Sequence, residues 1–245
     1  MGKEEIRDRL TACGIPCSGG LAEKLRVYGD LLVEWNTRMD LTAVTDEAET
    51  IDRHFADSLM PLTVPGLIGK PGKLIDVGTG AGFPGMPLAL ALPDWQVVLL
   101  DAQQKRLNFL QAVKDSLHAD NVTLVHARAE DAARMKEFRG SFDLVTARAV
   151  APLNVLAEYL LPFAVKGGMA LCWKGPSVSG EMPAGKRASV LLGGEILPPV
   201  PVTIPGRDWQ HTLVPIRKTG ITPGQYPRKA GMPARSPLGE PAAKG

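Results

Sequence analysis

Residues 74–85 read LIDVGTGAGFPG, an apolar run that breaks into glycines at 78, 80, 82 and 85. A strand that ends this way and hands over to a helix turns sharply, and without Cβ atoms its backbone approaches a ligand closely. Asp76 puts a carboxylate at the carboxyl end of that strand, where an open α/β sheet binds its ligands. Asp101 closes the next apolar run, WQVVLLD (95–101), placed to accept hydrogen bonds from both hydroxyls of a ribose. The third run, NVTLVHA (121–127), leads into RAED, which sets Ala129 and Glu130 over the same edge, near an adenine ring. Three consecutive strands thus deliver polar groups to one rim, which says more than the glycines alone.

Outward from the loop, FDLVTAR (142–148) and GMALCWK (168–174) continue the strands. PLALAL (87–92), KRLNFLQAVKDSLH (105–118) and PLNVLAEYLLPFA (152–164) alternate with them as helices. This alternation predicts a parallel sheet covered on both faces, and short Val/Leu-rich runs suit strands buried on both sides. GEILPPVPVTI (194–204) and HTLVPIRK (211–218) predict an antiparallel hairpin at the sheet edge, where proline is tolerated. Upstream, Leu21, Leu25, Tyr28, Leu32 and Trp35 share one helical face, as do Ile51, Phe55 and Leu59. Pro61, Pro65, Gly66, Gly69, Pro71 and Gly72 then punctuate the chain as a linker. The expected organisation is a helical N-terminal extension over 1–60, an α/β domain over 61–218 and a basic, proline-rich tail over 219–245.

A hydrophobic fraction of 44% fits a buried core, and a net charge of +2 by itself points to no partner. No run approaches the roughly 20 apolar residues of a membrane span. The amino terminus, MGKEEIRDRL, mixes charges and has no secretory pattern, so a cytoplasmic location is expected. Cys13, Cys17 and Cys172 include no second pair at zinc-ligand spacing, so they read as reduced thiols and no metal is expected.

Gly80, Gly82 and Gly85 also satisfy G-x-G-x-x-G, with Asp101 about 20 residues on, as a nicotinamide cofactor requires. Against that reading, Pro84 removes an N–H where a pyrophosphate needs donors, and Asp76 sets a negative charge beside the cradle. S-adenosylmethionine carries a sulfonium and an ammonium and no phosphate, so it suits the loop better. Among acceptors, exocyclic amines call for an Asn/Asp-Pro-Pro-aromatic motif after the fourth strand, where this chain reads TARAVAPL. Pyrimidine carbons call for a cysteine nucleophile, and Cys172 sits mid-strand. Guanine N7 holds a lone pair and loses no proton, so it needs positioning and no base. Arg148, past the fourth strand, either engages a guanine or pairs with Asp76 or Asp101. His54 either touches substrate or packs in the extension. Lys174 and the tail residues Arg228 and Lys229 are either phosphate contacts or solvated charges.

EWNTRMDLTAVTD, RHFADSL, LIDVGTGAGFPGMPLAL, LLDAQQKRLNFL, RAED, ARAVAPL, YLLPFAVKGG, WKG and YPRKAGMPARSPL together resemble the bacterial 16S rRNA guanine-N7 methyltransferase family, also called glucose-inhibited division protein B. The likeness runs from about residue 30 to about residue 238; Asp40 departs from it, where asparagine is more usual. It implies a Rossmann-like class I methyltransferase: a seven-stranded, mostly parallel sheet with helices on both faces and a helical N-terminal extension. It further implies S-adenosylmethionine as donor and the decoding-region loop of 16S rRNA, in the small ribosomal subunit, as target. A monomer is expected. On matching positions the family's cofactor contacts fall on Gly78, Phe83, Ala129, Glu130 and Arg148. A side chain at 78 fills the cradle, so Gly78→Arg is expected to weaken S-adenosylmethionine binding, read by isothermal titration, by more than about tenfold.

Overall fold

The computed structural model describes residues 1–240; residues 241–245 of the expected tail lie outside the described residues. The chain opens with α1 (Lys3–Ala12) and α2 (Gly19–Asn36), followed by α3 (Glu47–Thr50). Ser18 caps α2 by accepting from Leu21 N at 3.1 Å, and Asp46 caps α3 by accepting from Glu49 N at 2.7 Å. A wide π-helical turn, Ile51–Ala56, runs directly into α4 (Asp57–Leu59). The expected helical face of Ile51, Phe55 and Leu59 is therefore wound more loosely than a regular α-helix. Such π insertions concentrate at functional sites.

The α/β portion alternates β1 (Lys73–Val77), α5 (Gly85–Ala91), β2 (Gln96–Asp101), α6 (Gln104–Leu117), β3 (Val122–His126) and α7 (Ala129–Ala132). It continues through β4 (Phe142–Arg148), α8 (Leu153–Leu160), β5 (Ala164–Lys174) and α9 (Val178–Leu191). β6 (Gly194–Ile196), β7 (Val200–Thr203), β8 (Gln210–Lys218) and α10 (Met232–Arg235) complete it. One sheet runs β3-β2-β1-β4-β5-β8-β6, with β7 also paired to β8. β1 to β5 are parallel, and β8 runs antiparallel to β5 and to both β6 and β7. This is the Rossmann-like arrangement, with its sixth strand divided. Pro198 and Pro199 cannot donate to the ladder, so the strand breaks between Ile196 and Val200 and resumes on the same edge of β8.

Both faces of the sheet are buried, which is why its strands read as continuous apolar runs. Leu74, Leu99, Leu144 and Leu171 face a core shared with α5, α6 and the extension, including Leu25, Tyr28, Leu32 and Phe55. Ile75, Val145 and Ala170 face the other core, with α8 and α9. Extension and sheet therefore share one hydrophobic interior, and Trp35 packs against Phe109 of α6 at a centroid distance of 5.7 Å. The helix α9 carries Gly180, Pro183 and Gly185, and sequence patterning gave no sign of it. Packing against α8 overrides poor propensity there. Among the described residues no helix is long and apolar enough to cross a membrane.

Through residue 240 the tail is a strap bound across α7 and α8. Arg139 donates to Thr222 O at 3.0 Å and to Tyr226 O at 2.8 Å, and Asn154 Nδ2 donates to Leu238 O at 2.9 Å. Arg228 Nη2 bonds Glu158 Oε2 at 2.6 Å, and Glu158 is fully buried. Removing one partner of a buried ion pair strands the other charge. Arg228→Ala is therefore expected to destabilise the fold by about 3–5 kcal/mol, read as a lowered denaturation midpoint at unchanged m-value.

Candidate active site

Asp76 lies at the end of β1 with no exposed surface. Its Oδ2 accepts from Thr79 Oγ1 at 2.6 Å and Gly85 N at 3.0 Å, and its Oδ1 accepts from Thr146 Oγ1 at 2.7 Å. Burial pushes its pKa up, and these three hydrogen bonds pull it back. The carboxylate thus ties β1 to β4 and fastens both ends of the glycine loop. It faces into the protein, away from the space in front of the loop.

All the loop's own amides but that of Ala81 are spent internally. Gly78 N and Thr79 N donate to Leu100 O at 2.9 and 3.0 Å, and Gly82 N and Phe83 N donate to Thr79 O at 2.9 and 3.0 Å. Gly80 N donates to Asp101 Oδ2 at 2.9 Å. With Gly85 N on Asp76 and no N–H at Pro84, the loop lacks the donor array that a diphosphate needs. Open space remains in front of it: a Cβ built on Gly80, at φ +62°, would meet nothing nearer than Arg106 Nη1 at 3.8 Å. An acidic rim with few amides to offer fits the cationic, phosphate-free S-adenosylmethionine and does not fit a nicotinamide dinucleotide.

Around this cradle, Asp101 is nearly buried, and its Oδ1 accepts from Gln103 N at 2.8 Å. Ala129 and Glu130 begin α7, where Glu130 Oε1 accepts from Gly231 N at 2.8 Å and so joins the strap to the rim. Tyr28 of α2 props the loop from behind, its hydroxyl donating to Ala81 O. Gly82 faces that phenol so closely that a Cβ there would collide with it. Phe83 stacks with Tyr28 at 5.3 Å and with His54 at 4.5 Å, keeping only 6% of its surface exposed.

Arg148, at the end of β4, pairs with neither Asp76 nor Asp101. Its Nη1 donates to Asp57 Oδ2 at 2.9 Å and to Arg53 O at 2.8 Å, and its guanidinium lies 5.2 Å from the centre of the Phe83 ring. Asp57 is fully buried; its Oδ1 meets His211 Nδ1 at 2.9 Å, and its backbone oxygen accepts from Trp173 Nε1 at 2.9 Å. His54 Nδ1 lies 3.4 Å from Arg148 Nη2, and its Nε2 lies 2.8 Å from Thr42 Oγ1. A guanidinium has only hydrogens to give, so Nδ1 accepts and the proton sits on Nε2. Burial, then the nearby Arg148, pulls the imidazole down to about 3 and keeps it neutral. Thr42, Arg53, His54, Arg148, Lys174 and His211 all line one cleft of about 400 Å³.

Lys174 reaches this cleft, yet its ammonium is committed: it donates to Ala151 O at 3.0 Å and pairs with Glu181 Oε2 at 2.7 Å. Arg228 is likewise committed to Glu158 and lies outside the cleft, whereas Lys229 is exposed on the strap. Cys172 is fully buried with its thiol pushed up to about 12, which leaves no thiolate for nucleophilic chemistry. Among the described residues no group of three or more His, Cys, Asp and Glu is placed to hold a metal ion. Asp57 and His211 escaped the sequence reading. Asp57 stands within RHFADSL, but its partner Arg148 lies 91 residues on, and no local spacing connects them.

The family model described as rRNA small subunit methyltransferase G matches residues 21–202. A ribosomal RNA small subunit methyltransferase G from Alkaliphilus oremlandii is 42% identical over 236 residues, covering 96% of this chain and 98% of its own. One from Desulfitobacterium hafniense is 44% identical over 238 residues, covering 96% and 98%. Among solved structures, a 16S rRNA adenine-N1 methyltransferase with its cosubstrate superposes with a TM-score of 0.51 at 18% identity, covering 69% of this chain and 91% of that one. The antibiotic-resistance methyltransferase Kmr gives 0.50 at 21%, covering 63% and 90%. These two likenesses speak for the fold.

The neutral His54 makes a pH-dependent contribution. Its folded pKa lies below the ordinary 6.5, so between about 6.5 and about 3 the unfolded chain holds a proton that the folded chain lacks. The stabilisation is complete above pH 6.5 and is lost on acidification. Over that window the wild type is expected to lose up to about 1.4 kcal/mol per pH unit more than His54→Gln, measured by urea unfolding.

Proposed function

The chain belongs to the rRNA small subunit methyltransferase G family, and from that premise we propose that it moves the methyl group of S-adenosylmethionine to N7 of a guanine in 16S rRNA. One observation supports the acceptor atom above the others: the two groups beside Arg148, the His54 imidazole and the Asp57 carboxylate, are already engaged. Both Asp57 oxygens take cationic or imidazole donors, and His54 accepts from Arg148 and donates to Thr42. A site that offers a fixed guanidinium beside an engaged imidazole and carboxylate suits an acceptor that gives up no proton, since N7 attacks with a lone pair it already holds.

When bound, S-adenosylmethionine supplies an electrophilic methyl on a sulfonium. The N7–C bond forms as the C–S bond breaks, the electron pair stays on sulfur, and the positive charge passes to the base. In this reading Gly78 and Gly80 leave room for the donor, Asp101 meets its ribose, and Ala129 and Glu130 face its adenine. Asp76 and Gly82 hold the loop in shape, and Phe83 forms the wall between cradle and cleft. Arg148 is fixed by Asp57, so its guanidinium reaches the guanine's O6 without spending energy on alignment. Pairing with Asp57 also offsets its charge, which eases the build-up of positive charge on the base. The cytoplasm, where 16S rRNA is assembled, is the expected location, and a monomer is the expected form.

Purified protein is to be incubated with labelled S-adenosylmethionine and small subunits lacking the modification, with the label mapped by strand cleavage at N7-methylguanine. The expected result is one labelled guanine in 16S rRNA. Label on an exocyclic amine or a pyrimidine carbon would overturn the acceptor assignment.

A further inference from the structure

The opposite, amino edge of the sheet holds a hollow of about 570 Å³ that has no part in the chemistry above. Lys70 of the linker, Lys166 near the start of β5 and Arg217 near the end of β8 converge on it. Three separate segments supply these cations, so the cluster is made by the fold and is not one solvated helix face. Among the described residues none of the three has a carboxylate at ion-pair distance, although Arg9, Arg26, Arg148, Arg207 and Arg228 all do. Glu195, which pairs with Arg217 across the ladder, does not reach it. The acid in the hollow, Asp143, is held by Lys73 N at 2.8 Å.

Lys166 also borders a second hollow of about 290 Å³ that contains Arg139 and Lys218. Of these, Arg139 is bound to the strap's carbonyls and Lys218 is buried against Leu192 O and Thr222 Oγ1. The cations left to face solvent are therefore Lys70, Lys166 and Arg217, against the one carboxylate of Asp143. Charge segregated this way marks a polyanion surface. The glycines of the linker and of the β5 start also favour close approach: a Cβ at Gly66, Gly69 or Gly167 would meet nothing within 4 Å.

We propose that this basin is a second docking surface for the substrate RNA, where Lys70, Lys166 and Arg217 hold backbone phosphates on the side away from methyl transfer. It rests on the reading of rRNA as substrate. Lys166 and Lys174 stand at opposite ends of β5, eight residues or roughly 26 Å apart at the usual strand rise. That exceeds the screening length of about 8–10 Å, so the basin holds its own phosphates and leaves the field at the acceptor unchanged. The linker thereby gains a purpose that its glycines and prolines alone did not reveal.

The test uses full-length protein carrying Lys70→Gln, Lys166→Gln and Arg217→Gln, with unmethylated 16S rRNA and small subunits as probes over a salt series. Three lost phosphate contacts are expected to make the slope of log K against log salt shallower by about 2 to 3. KM for RNA is expected to rise roughly tenfold, with kcat and S-adenosylmethionine affinity unchanged. A second variant, Lys70→Glu with Lys166→Glu, leaves Arg217 of β8 in place and is expected to bind RNA more weakly still at an unaltered melting temperature. An unchanged slope and KM in both variants would refute the basin. Weaker binding to subunits with unchanged binding to free RNA would also refute it, in favour of a ribosomal protein contact. If the wild type itself methylates no rRNA, the functional reading fails; if the wild type methylates and the variants match it, only the basin fails.

Discussion

The carboxylate of Asp57 is buried without any exposed surface, and a charge in that position must be matched or the fold does not hold it. Arg148 matches it from the end of β4 and His211 from the start of β8, and Trp173 of β5 binds the backbone oxygen of the same residue. One residue of the helical extension therefore joins three strands of the sheet at their working ends. Because a buried pair tolerates little misalignment, the position of Arg148 is set by the extension as much as by β4. The extension accordingly works as part of the active site: it supplies Thr42, Arg53 and His54 to the cleft and Tyr28 to the back of the glycine loop.

A second buried carboxylate does the same for the donor side. Asp76 holds Thr79, Gly85 and Thr146, and the loop between them closes its remaining hydrogen bonds on Leu100, Asp101 and Thr79. Such a loop offers shape and few free donors, which separates a methyl donor from a dinucleotide more sharply than glycine spacing does. The G-x-G-x-x-G match at 80–85 is real as a pattern, but the chemistry it stands for requires an array of free amides, and here all but that of Ala81 are occupied or, at Pro84, absent.

The helix α9 and the strap show how tertiary contacts settle what local sequence leaves ambiguous. α9 contains residues that disfavour helices, yet it is helical because α8 offers a buried face to pack on. The strap has little periodicity and many prolines, yet it is fixed because Arg139 and Asn154 satisfy its carbonyls and Glu158 takes its arginine. Arg228 and Lys174, which as bare sequence are free cations, are both held by glutamates. In contrast, Lys70, Lys166 and Arg217 acquire no such partner among the described residues.

The sequence by itself determined the fold class, the strand–helix alternation, the edge hairpin, the glycine cradle and the family. Each of these is carried by local periodicity or by contiguous motifs, whose physical meaning needs no distant partner. The tertiary structure alone decided which polar groups face a ligand and which face each other. Asp76 turned inward, Arg148 found Asp57 91 residues away, and His54 became a neutral link between Arg148 and Thr42. The reason is that a charged side chain reads the same in sequence whether it meets solvent, substrate or a buried counter-charge. Only the packed fold fixes which of these it meets, and so what it can do.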